Sequence, residues 1–437
     1  MDRPDRGIAI ATAGLALLAV TLLGSALLAP QLGGAQEPGN RTLVGIHGDG
    51  VGWHEGGEVY LLNGSARVWT EASADSYFDV ETLGNGSLVA GFMDGGYEDC
   101  GPYNASGCAH TGFRLIEPGP DARVTGEYGV PVRTEKNSEV HAATPLPAGG
   151  FLVGDMEHER VYTWEHGEIT WQWNASSFYD PPADPTRTDW LHLNDVDHVG
   201  DDRYMVSIRN ANQILVLERG AGVVEVINAD RTDADDANCR GRGRLADTDG
   251  DGDIRCGDPA VLNSQHNPQW LGEGAVLVAD SHNDRVVELH RNATGVWEPV
   301  WSLERAGGVP FDWPRDADRL PNNHTLVTDT LNKRVVEVNA TGSVVWSHAT
   351  GAIPYEADRL PAGEPVGAPT LGATSSPGGG TGDHTARGGD VPLLSTALLG
   401  LQAVFPGLPF WFKELQLGLT ALSLLLVAAG AGLRYRR

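Results

Sequence analysis

Four side chains in the middle of this 437-residue chain are of the types that carry transfer chemistry: His141, His192, Arg209 and His266. The last sits in the octapeptide "NSQHNPQW", residues 263–270, just ahead of the apolar run "GAVLVAD". A neutral imidazole is a competent nucleophile and proton carrier near pH 7. A guanidinium fork holds two oxygens of an oxyanion at once, which a lysine cannot copy as a point charge. Brought to one point, these groups suit the transfer of a small anionic group, which needs in-line geometry and positive donors around its equatorial oxygens. They lie far apart in sequence, so the fold has to assemble them.

Internal repetition shows how. The segments "HAATPLPAGGFLVGDMEHERVYTWE" from His141, "HNPQWLGEGAVLVADSHNDRVVELH" from His266 and "RDADRLPNNHTLVTDTLNKRVVEVN" from Arg315 share one pattern. Each reads as a short strand, a Gly- or Pro-containing turn, a second strand, a polar turn and a third strand. A fourth strand carrying Trp, such as "GSVVWSH", follows in several. One four-stranded blade per repeat predicts a β-propeller. Six inner strands are expected, near Tyr77, His141, His192, His266, Arg315 and Tyr355. The last repeat stops after its inner strand, and residues 41–70 match its missing outer strands, so the N-terminal segment should complete the sixth blade and leave no free edge. The expected fold is all-β: a six-bladed propeller over 41–362, closed by N-terminal strands and flanked by transmembrane helices.

The register follows from the "LV"-type pairs at Leu88, Leu152, Met205, Leu277 and Leu326, and from "DRLP" at Asp318 and Asp358. One column then reads Tyr77, His141, Asn194, His266, Arg315 and Tyr355, with His192 two residues before Asn194. It opens each inner strand, and inner strands line a propeller's central channel. Small or apolar residues would close that channel at lower desolvation cost. Either these polar side chains are merely solvated by channel water, or they form a functional funnel. Asn194, Arg315, Tyr77 and Tyr355 are the expected substrate-binding residues, and Trp313 could offer further aromatic surface or belong to the core.

The stretch "DWLHLNDVDHVGDDRYMVSIRN" resembles the signature of the arylsulfate sulfotransferases, six-bladed propellers that move a sulfuryl group between phenols without a nucleotide donor. That family carries an H-x-N motif on an inner strand and S-x-R on the next, matched by His192, Asn194, Ser207 and Arg209. Its Q-H motif one blade later, matched by Gln265 and His266, supplies the histidine that is transiently sulfurylated. A histidine before an "LP-x-G" turn in the preceding blade matches His141. The resemblance spans about residues 42–362 and implies ping-pong transfer through His266, with Arg209, His192 and His141 holding the sulfuryl and phenolate oxygens. It implies no catalytic cofactor and an aryl sulfate and a phenol as small-molecule partners. The absence of a P-loop agrees with nucleotide independence. Bacterial members carry an N-terminal sandwich domain that this sequence does not show, so substrate and oligomeric state do not carry over.

The surroundings of the repeats bound the setting. The formal net charge is -27 and the only lysines are Lys136, Lys333 and Lys413, which argues against a nucleic-acid partner and fits a surface kept soluble at high salt, as in a halophile. Residues 7–30 and 415–433 are apolar and long enough to span a bilayer. Arg3 and Arg6 precede the first, and Arg434, Arg436 and Arg437 follow the second. The positive-inside rule then puts tail 1–6 and the far end in the cytoplasm and the propeller on the extracellular side. The alternative for the first segment is a signal peptide cleaved near Ala35. Residues 391–412, broken by Pro406 and Pro409, read as an interfacial or re-entrant element or a third span, and 363–390 as a flexible linker.

Cys100 and Cys108 flank one short loop and Cys239 and Cys256 another, so local disulfides are expected outside the cytosol, though other pairings are open. Eight N-x-S/T sequons, at Asn40, Asn63, Asn85, Asn104, Asn174, Asn292, Asn323 and Asn339, permit glycosylation but also suit turns. Within an insertion at 232–262, "DTDGDGDIRCGD" follows a calcium-loop pattern, with Asp247, Asp249, Asp251, Asp253 and Asp258 as ligands of a structural Ca²⁺. An ordinary acidic loop is the alternative. Two other function classes stay open: a non-catalytic surface propeller binding a ligand or protein, or another propeller enzyme, such as an NHL-like lyase or a quinone-dependent dehydrogenase.

Overall fold

Strands in this chain are short because polar turns end them at regular intervals. The side chain of Asn339 accepts the N–H groups of Thr341 and Ser343, both at 3.0 Å, and so folds Arg334–Val338 back onto Val344–Ala349. Asn292 does the same with Thr294 and Val296, so two of the sequons are Asx turns. The computed structural model describes every residue except 1–5, 31, 33–39, 51, 104–107, 233–235, 237, 240–244, 246–253, 373–391, 406, 436 and 437.

Six four-stranded antiparallel sheets form a six-bladed β-propeller. The inner strands of blades 1 to 5 are Ser76–Thr82, Ala143–Pro145, Leu193–Gly200, His266–Gly272 and Pro314–Arg319, and the three strands that follow each complete its blade. Blade 6 takes its inner strand, Ile353–Leu360, from the end of the domain and its other three from Arg41–Gly48, Glu58–Asn63 and Ala66–Glu71. Arg41 pairs with Leu360 and Leu43 with Asp358, so the ring closes through a sheet made from both ends of the domain.

Packing between blades is apolar. Leu277 and Trp301 of blade 4 meet Val327 and Val336 of blade 5, all essentially inaccessible. Burying each such side chain contributes about 1.5–3 kcal/mol. Close approach of inner strands also needs glycine. A Cβ on Gly45 would stand 2.4 Å from the Phe78 carbonyl oxygen, and one on Gly91 would stand 2.4 Å from that of His141. Those two gaps let Phe78 and His141 reach the channel.

A buried ion pair recurs at one end of the blades. Asp155 meets Arg160, Asp280 meets Arg285 and Asp329 meets Arg334, each at 2.7 Å. In blades 4 and 5 the same carboxylates accept a further N–H from the loop entering the inner strand: Asn263 to Asp280 at 2.7 Å and Asp312 to Asp329 at 2.9 Å. Disulfides join Cys100 to Cys108 and Cys239 to Cys256, the local pairs.

Residues 363–372 differ from their expected role as flexible linker. Gly367 donates to the Trp270 carbonyl at 3.0 Å, and Leu371 and Gly372 donate to Glu288 at 3.0 and 2.9 Å. Arg319, paired with Glu288 at 3.1 Å, also donates to the Pro369 carbonyl. An irregular Pro- and Gly-containing segment has free backbone donors and acceptors, and these are satisfied by a buried ion pair of blades 4 and 5.

The helical unit is separate from the propeller. Helix α1 (Arg6–Leu28) and helix α3 (Glu414–Tyr435) have mean hydropathies of 2.1 and 1.8 and are long enough to cross a membrane. Helix α2 (Pro392–Val404) has 13 residues. At 1.5 Å per residue it covers about 20 Å, too little for a span of roughly 30 Å alone. Helices α1 and α3 pack through small residues: a Cβ on Gly14 would lie 2.7 Å from the Ser423 carbonyl oxygen, and one on Gly430 2.5 Å from that of Gly7. Gln416 Nε2 donates to Ser25 Oγ at 3.0 Å. Cysteines placed at Ser25 and Gln416 should therefore oxidise to an intramolecular crosslink, read on gels after proteolysis within 373–390. Adding Gly14→Leu should cut the yield several-fold; an unchanged yield would mean that the glycine contact does not hold the pair.

Candidate active site

Each inner strand is entered from one end of the channel, and there the expected residues come together. Tyr355 is their hub. Its ring stacks on His141 at 5.2 Å and meets His266 edge-on at 6.4 Å, while Arg315 Cζ lies 5.3 Å from its centroid. Its hydroxyl donates to the Asn194 carbonyl at 3.2 Å. His141 and His192 are 5.8 Å apart between ring centroids. Arg209 is close enough for its charge to depress all three histidines.

The proton on His266 can be located from its neighbours. Nδ1 lies 3.1 Å from the Ser264 carbonyl oxygen and 2.8 Å from Ser281 Oγ. A carbonyl only accepts, and the Ser281 hydroxyl proton is committed to the Pro314 carbonyl at 2.6 Å. Both contacts therefore require a proton on Nδ1, which leaves the lone pair on Nε2. That nitrogen makes no hydrogen bond to any described residue. Burial, then the charges of Arg315 and Arg209, hold the His266 pKa well below 6.5, so the neutral form prevails.

His192 is placed by carboxylates. Its φ is 56°, in the left-handed region, and Glu159 fixes that turn by accepting the N–H groups of Leu191, His192 and Leu193 at 3.1, 2.6 and 3.0 Å. Nδ1 donates to Asp189 at 2.7 Å, so Nε2 again carries the lone pair. Burial and Arg209 lower the His192 pKa against the opposing pull of Asp189. Burial would raise the Asp189 carboxyl, but His192 and Arg209 outweigh it and bring it to about 2.

Among the described residues the two arginines have no carboxylate partner. Arg209 makes no side-chain hydrogen bond or ion pair with any described residue, and its Nε is buried and unpartnered. Arg315 Nη1 donates to His47 Nδ1 at 2.7 Å, yet its Nε also has no partner. Burial lowers Arg315 to about 10, so it is still charged at neutral pH. His141 Nδ1 and His47 Nε2 are likewise buried without partners. An unmet buried polar group of this kind costs about 1–3 kcal/mol. Two cations and these unmet nitrogens around one free imidazole lone pair form a cradle for an oxyanion.

Two expected residues stand elsewhere or act differently. Tyr77 does not line the funnel: it packs in the blade core near Leu43, Val59 and Phe92, and its hydroxyl bonds Glu71 and Arg114. A register irregularity between Tyr77 and Val80 lies at this point of the inner strand, and Phe78 takes the funnel position, 4.8 Å from His141 and 5.5 Å from Tyr355. A one-residue slip exchanges the two faces of a strand. Asn194 faces the neighbouring backbone: Nδ2 donates to the Gln265 carbonyl at 2.8 Å. Gln265 in turn donates to Ser207 Oγ, Ile208 O and Gln213 O at 3.3, 3.2 and 2.8 Å. The H-x-N, S-x-R and Q-H motifs are thus one network that sets the position of His266.

Several funnel residues were not expected. His47, Trp53, His54 and Phe78 belong to the closing blade and blade 1, and Glu139 to the segment before His141. His47 meets His54 at 4.9 Å and Phe78 at 5.2 Å. Burial brings His54 down to about 4 and Glu139 up to about 7. The signal for His47, Trp53 and His54 was "GIHGDGVGWHEGG", a glycine-rich stretch with two histidines in the segment that closes the ring. Of the expected calcium ligands, Asp247, Asp249, Asp251 and Asp253 lie outside the described residues. Asp258 Oδ1 accepts the Ala260 N–H at 2.8 Å, within its own turn. Among the described residues no group of three or more His, Cys, Asp or Glu side chains could hold a metal ion.

No family model matches the chain, and none of the curated proteins matches it. Solved structures do. A protein of unknown function from Bacteroides caccae is 13% identical, with a TM-score of 0.48 over 74% of this chain and 100% of that one. A periplasmic gluconolactonase from Pseudomonas aeruginosa is 12% identical, with a TM-score of 0.42 over 73% and 98%. Virginiamycin B lyase from Staphylococcus aureus is 9% identical, with a TM-score of 0.34 over 61% and 68%.

Inorganic sulfate should bind the funnel. Calorimetry with the wild type should give one site per chain, and Arg315→Gln should weaken it about tenfold or more, on the scale of one charge-assisted contact. Equal affinity in the two proteins would show that the arginine does not face the anion.

Proposed function

We propose that the protein is a membrane-anchored, outward-facing aryl sulfotransferase that works without a nucleotide donor. The observation that carries this reading is the free Nε2 lone pair of neutral His266 beside two arginines that lack carboxylates. The resemblance of His141, His192, Asn194, Ser207, Arg209, Gln265 and His266 to the arylsulfate sulfotransferase motifs supports it. So do the two disulfides, which belong to an oxidising compartment.

In the first half-reaction His266 Nε2 attacks sulfur, the N–S bond forms and the aryl O–S bond breaks. The electron pair leaves with the phenolate oxygen, whose charge Arg209 meets, and Arg315 holds sulfuryl oxygens. In the second half-reaction the acceptor phenol attacks the sulfurylated histidine. His192 Nε2 takes the phenol proton, and Asp189 stabilises the imidazolium that results. The N–S bond breaks with its pair returning to His266. The proton passes through water to the departed phenolate, so one aryl sulfate and one phenol become one phenol and one aryl sulfate.

Intact-mass analysis after exposure to an aryl sulfate without acceptor should show one added sulfuryl group, absent in His266→Ala. Unmodified wild-type protein that still turns over would rule out the covalent step. Protonation would remove the nucleophile, and its pKa is depressed from 6.5, so the single-turnover rate should show no loss as pH falls from 7.5 to 6.0. A rate that halves near pH 6.5 would mean an ordinary, solvated histidine.

Arg209→Lys keeps the charge but loses the fork. Turnover should fall by about two orders of magnitude, comparable to the loss of one transition-state donor. Near-wild-type turnover would remove Arg209 from the reacting centre.

A further inference from the structure

The funnel residues described so far hold an anion and a reacting nitrogen, and none of them is committed to the ring that carries the anion. One tryptophan, Trp53, stands beside Arg315, and a second, Trp313, precedes it by two residues. Trp53 comes from the hairpin between the strands Arg41–Gly48 and Glu58–Asn63, and Trp313 from the loop entering blade 5. Both are half-buried, and neither belongs to any hydrophobic core cluster of the described residues. Their φ angles are 71° and 55°, in the left-handed region that bulky residues avoid. The indole N–H of each is buried without a partner. Strained backbone and unmet donors persist where the surrounding structure enforces them, and they cluster at ligand sites.

The hairpin that carries Trp53 is held at both ends. Gly48, Gly50, Gly52 and Gly56 all take positive φ, and Asp49 and Glu55 exchange backbone bonds at 2.7 and 3.2 Å. On one side Lys333 Nζ reaches Asp49 at 3.2 Å. On the other, His54 bonds Ser76 Oγ at 2.9 Å and stands 3.5 Å from Glu139. This brace sets Trp53 with Arg315 Cζ 5.5 Å from its ring centroid and His47 edge-on at 6.2 Å. Trp313, two residues before Arg315, lies 4.2 Å from the His282 ring.

We propose that Trp53 is the stacking platform for the aromatic ring of the substrate, with Trp313 as a second aromatic wall. The funnel then selects aryl over alkyl esters: Arg315 binds the anionic group while the ring packs on indole, a contact worth more than its buried area alone. The inference refines the sulfuryl-transfer reading and rests on its anion cradle.

Two stable sulfonates of equal charge separate the contributions. Calorimetry on the full chain in detergent should show 4-toluenesulfonate binding about tenfold tighter than methanesulfonate, a difference of one aromatic contact. Trp53→Ala should erase that preference while leaving methanesulfonate affinity within about twofold, and Trp53→Phe should keep most of it. Trp313→Ala should reduce the preference by a smaller factor. Equal binding of the two sulfonates by the wild type, binding of neither, or a parallel loss of both in Trp53→Ala would overturn the platform. Trp53→Phe guards against misfolding, since a folded Phe variant without preference also counts against it. An intact aryl preference with no sulfuryl group ever appearing on His266 would instead refute the transfer reading and leave the platform standing.

Discussion

The buried aspartate–arginine pair at the end of the second strand in blades 2, 4 and 5 is the contact on which the funnel depends. In blades 4 and 5 one carboxylate holds both the arginine of the third strand and the backbone N–H that leads into the inner strand. The charge is thereby used to place His266 and Arg315. Removing one member of such a pair leaves a buried charge uncompensated, at a cost of about 3–5 kcal/mol. Blade 3 lacks the pair. Ile208 and Gln213 occupy the paired positions that Asp280 and Arg285 hold in blade 4. Arg209 follows Ile208 directly, at the place that Ser281 holds in blade 4. Gln213 instead accepts from Tyr179 and, through its backbone, from Gln265. This departure from the repeat ties down the Q-H motif.

Farther along the inner strands the channel is lined by carboxyl groups. Asp195, Asp316, Asp318, Glu356 and Asp358 are buried there with Asp79 and Glu81 beside them. Burial, and then their mutual repulsion, raises Asp318 and Asp358 well above the usual carboxylate range, and burial brings Asp316 to about 7. Asp316 also spends one oxygen on Thr328 and on the Ala357 N–H. Carboxyls raised this far hold their protons near neutral pH, so the cluster carries little charge beside the arginine end.

Periodicity made the blades, their number and the closure legible, because a repeat that stops after one strand and a start that supplies three can only be joined one way without a free edge. The repeats put His141 and His266 in one column, and the motifs added His192 and Arg209 from just before the column and from the next strand. Register within one strand was less legible. Tyr77 and Phe78 are both aromatic, so alternation could not say which faced the channel, and an irregularity in pairing decided it. Asn194 looked like a ligand contact because it is polar and in the column; its side chain instead bonds a backbone carbonyl that spacing cannot reveal. Trp53 and His47 were missed because they come from the far end of the sequence and enter the site only when the ring closes.

Burial acts on the site in two directions at once. It strips water from His47, His141 and His266 and keeps them neutral, which preserves lone pairs. The same loss of water strengthens the fields of Arg209 and Arg315, since a low-dielectric site screens charge poorly. A chain of net charge -27 repels an anionic substrate at long range, and salt weakens that repulsion over a Debye length of about 8 Å at physiological ionic strength. Capture therefore cannot depend on the overall field of the protein. On the proposed reading it rests on contacts made inside the funnel, where Arg209 and Arg315 have no carboxylate partner among the described residues and His266 is neutral.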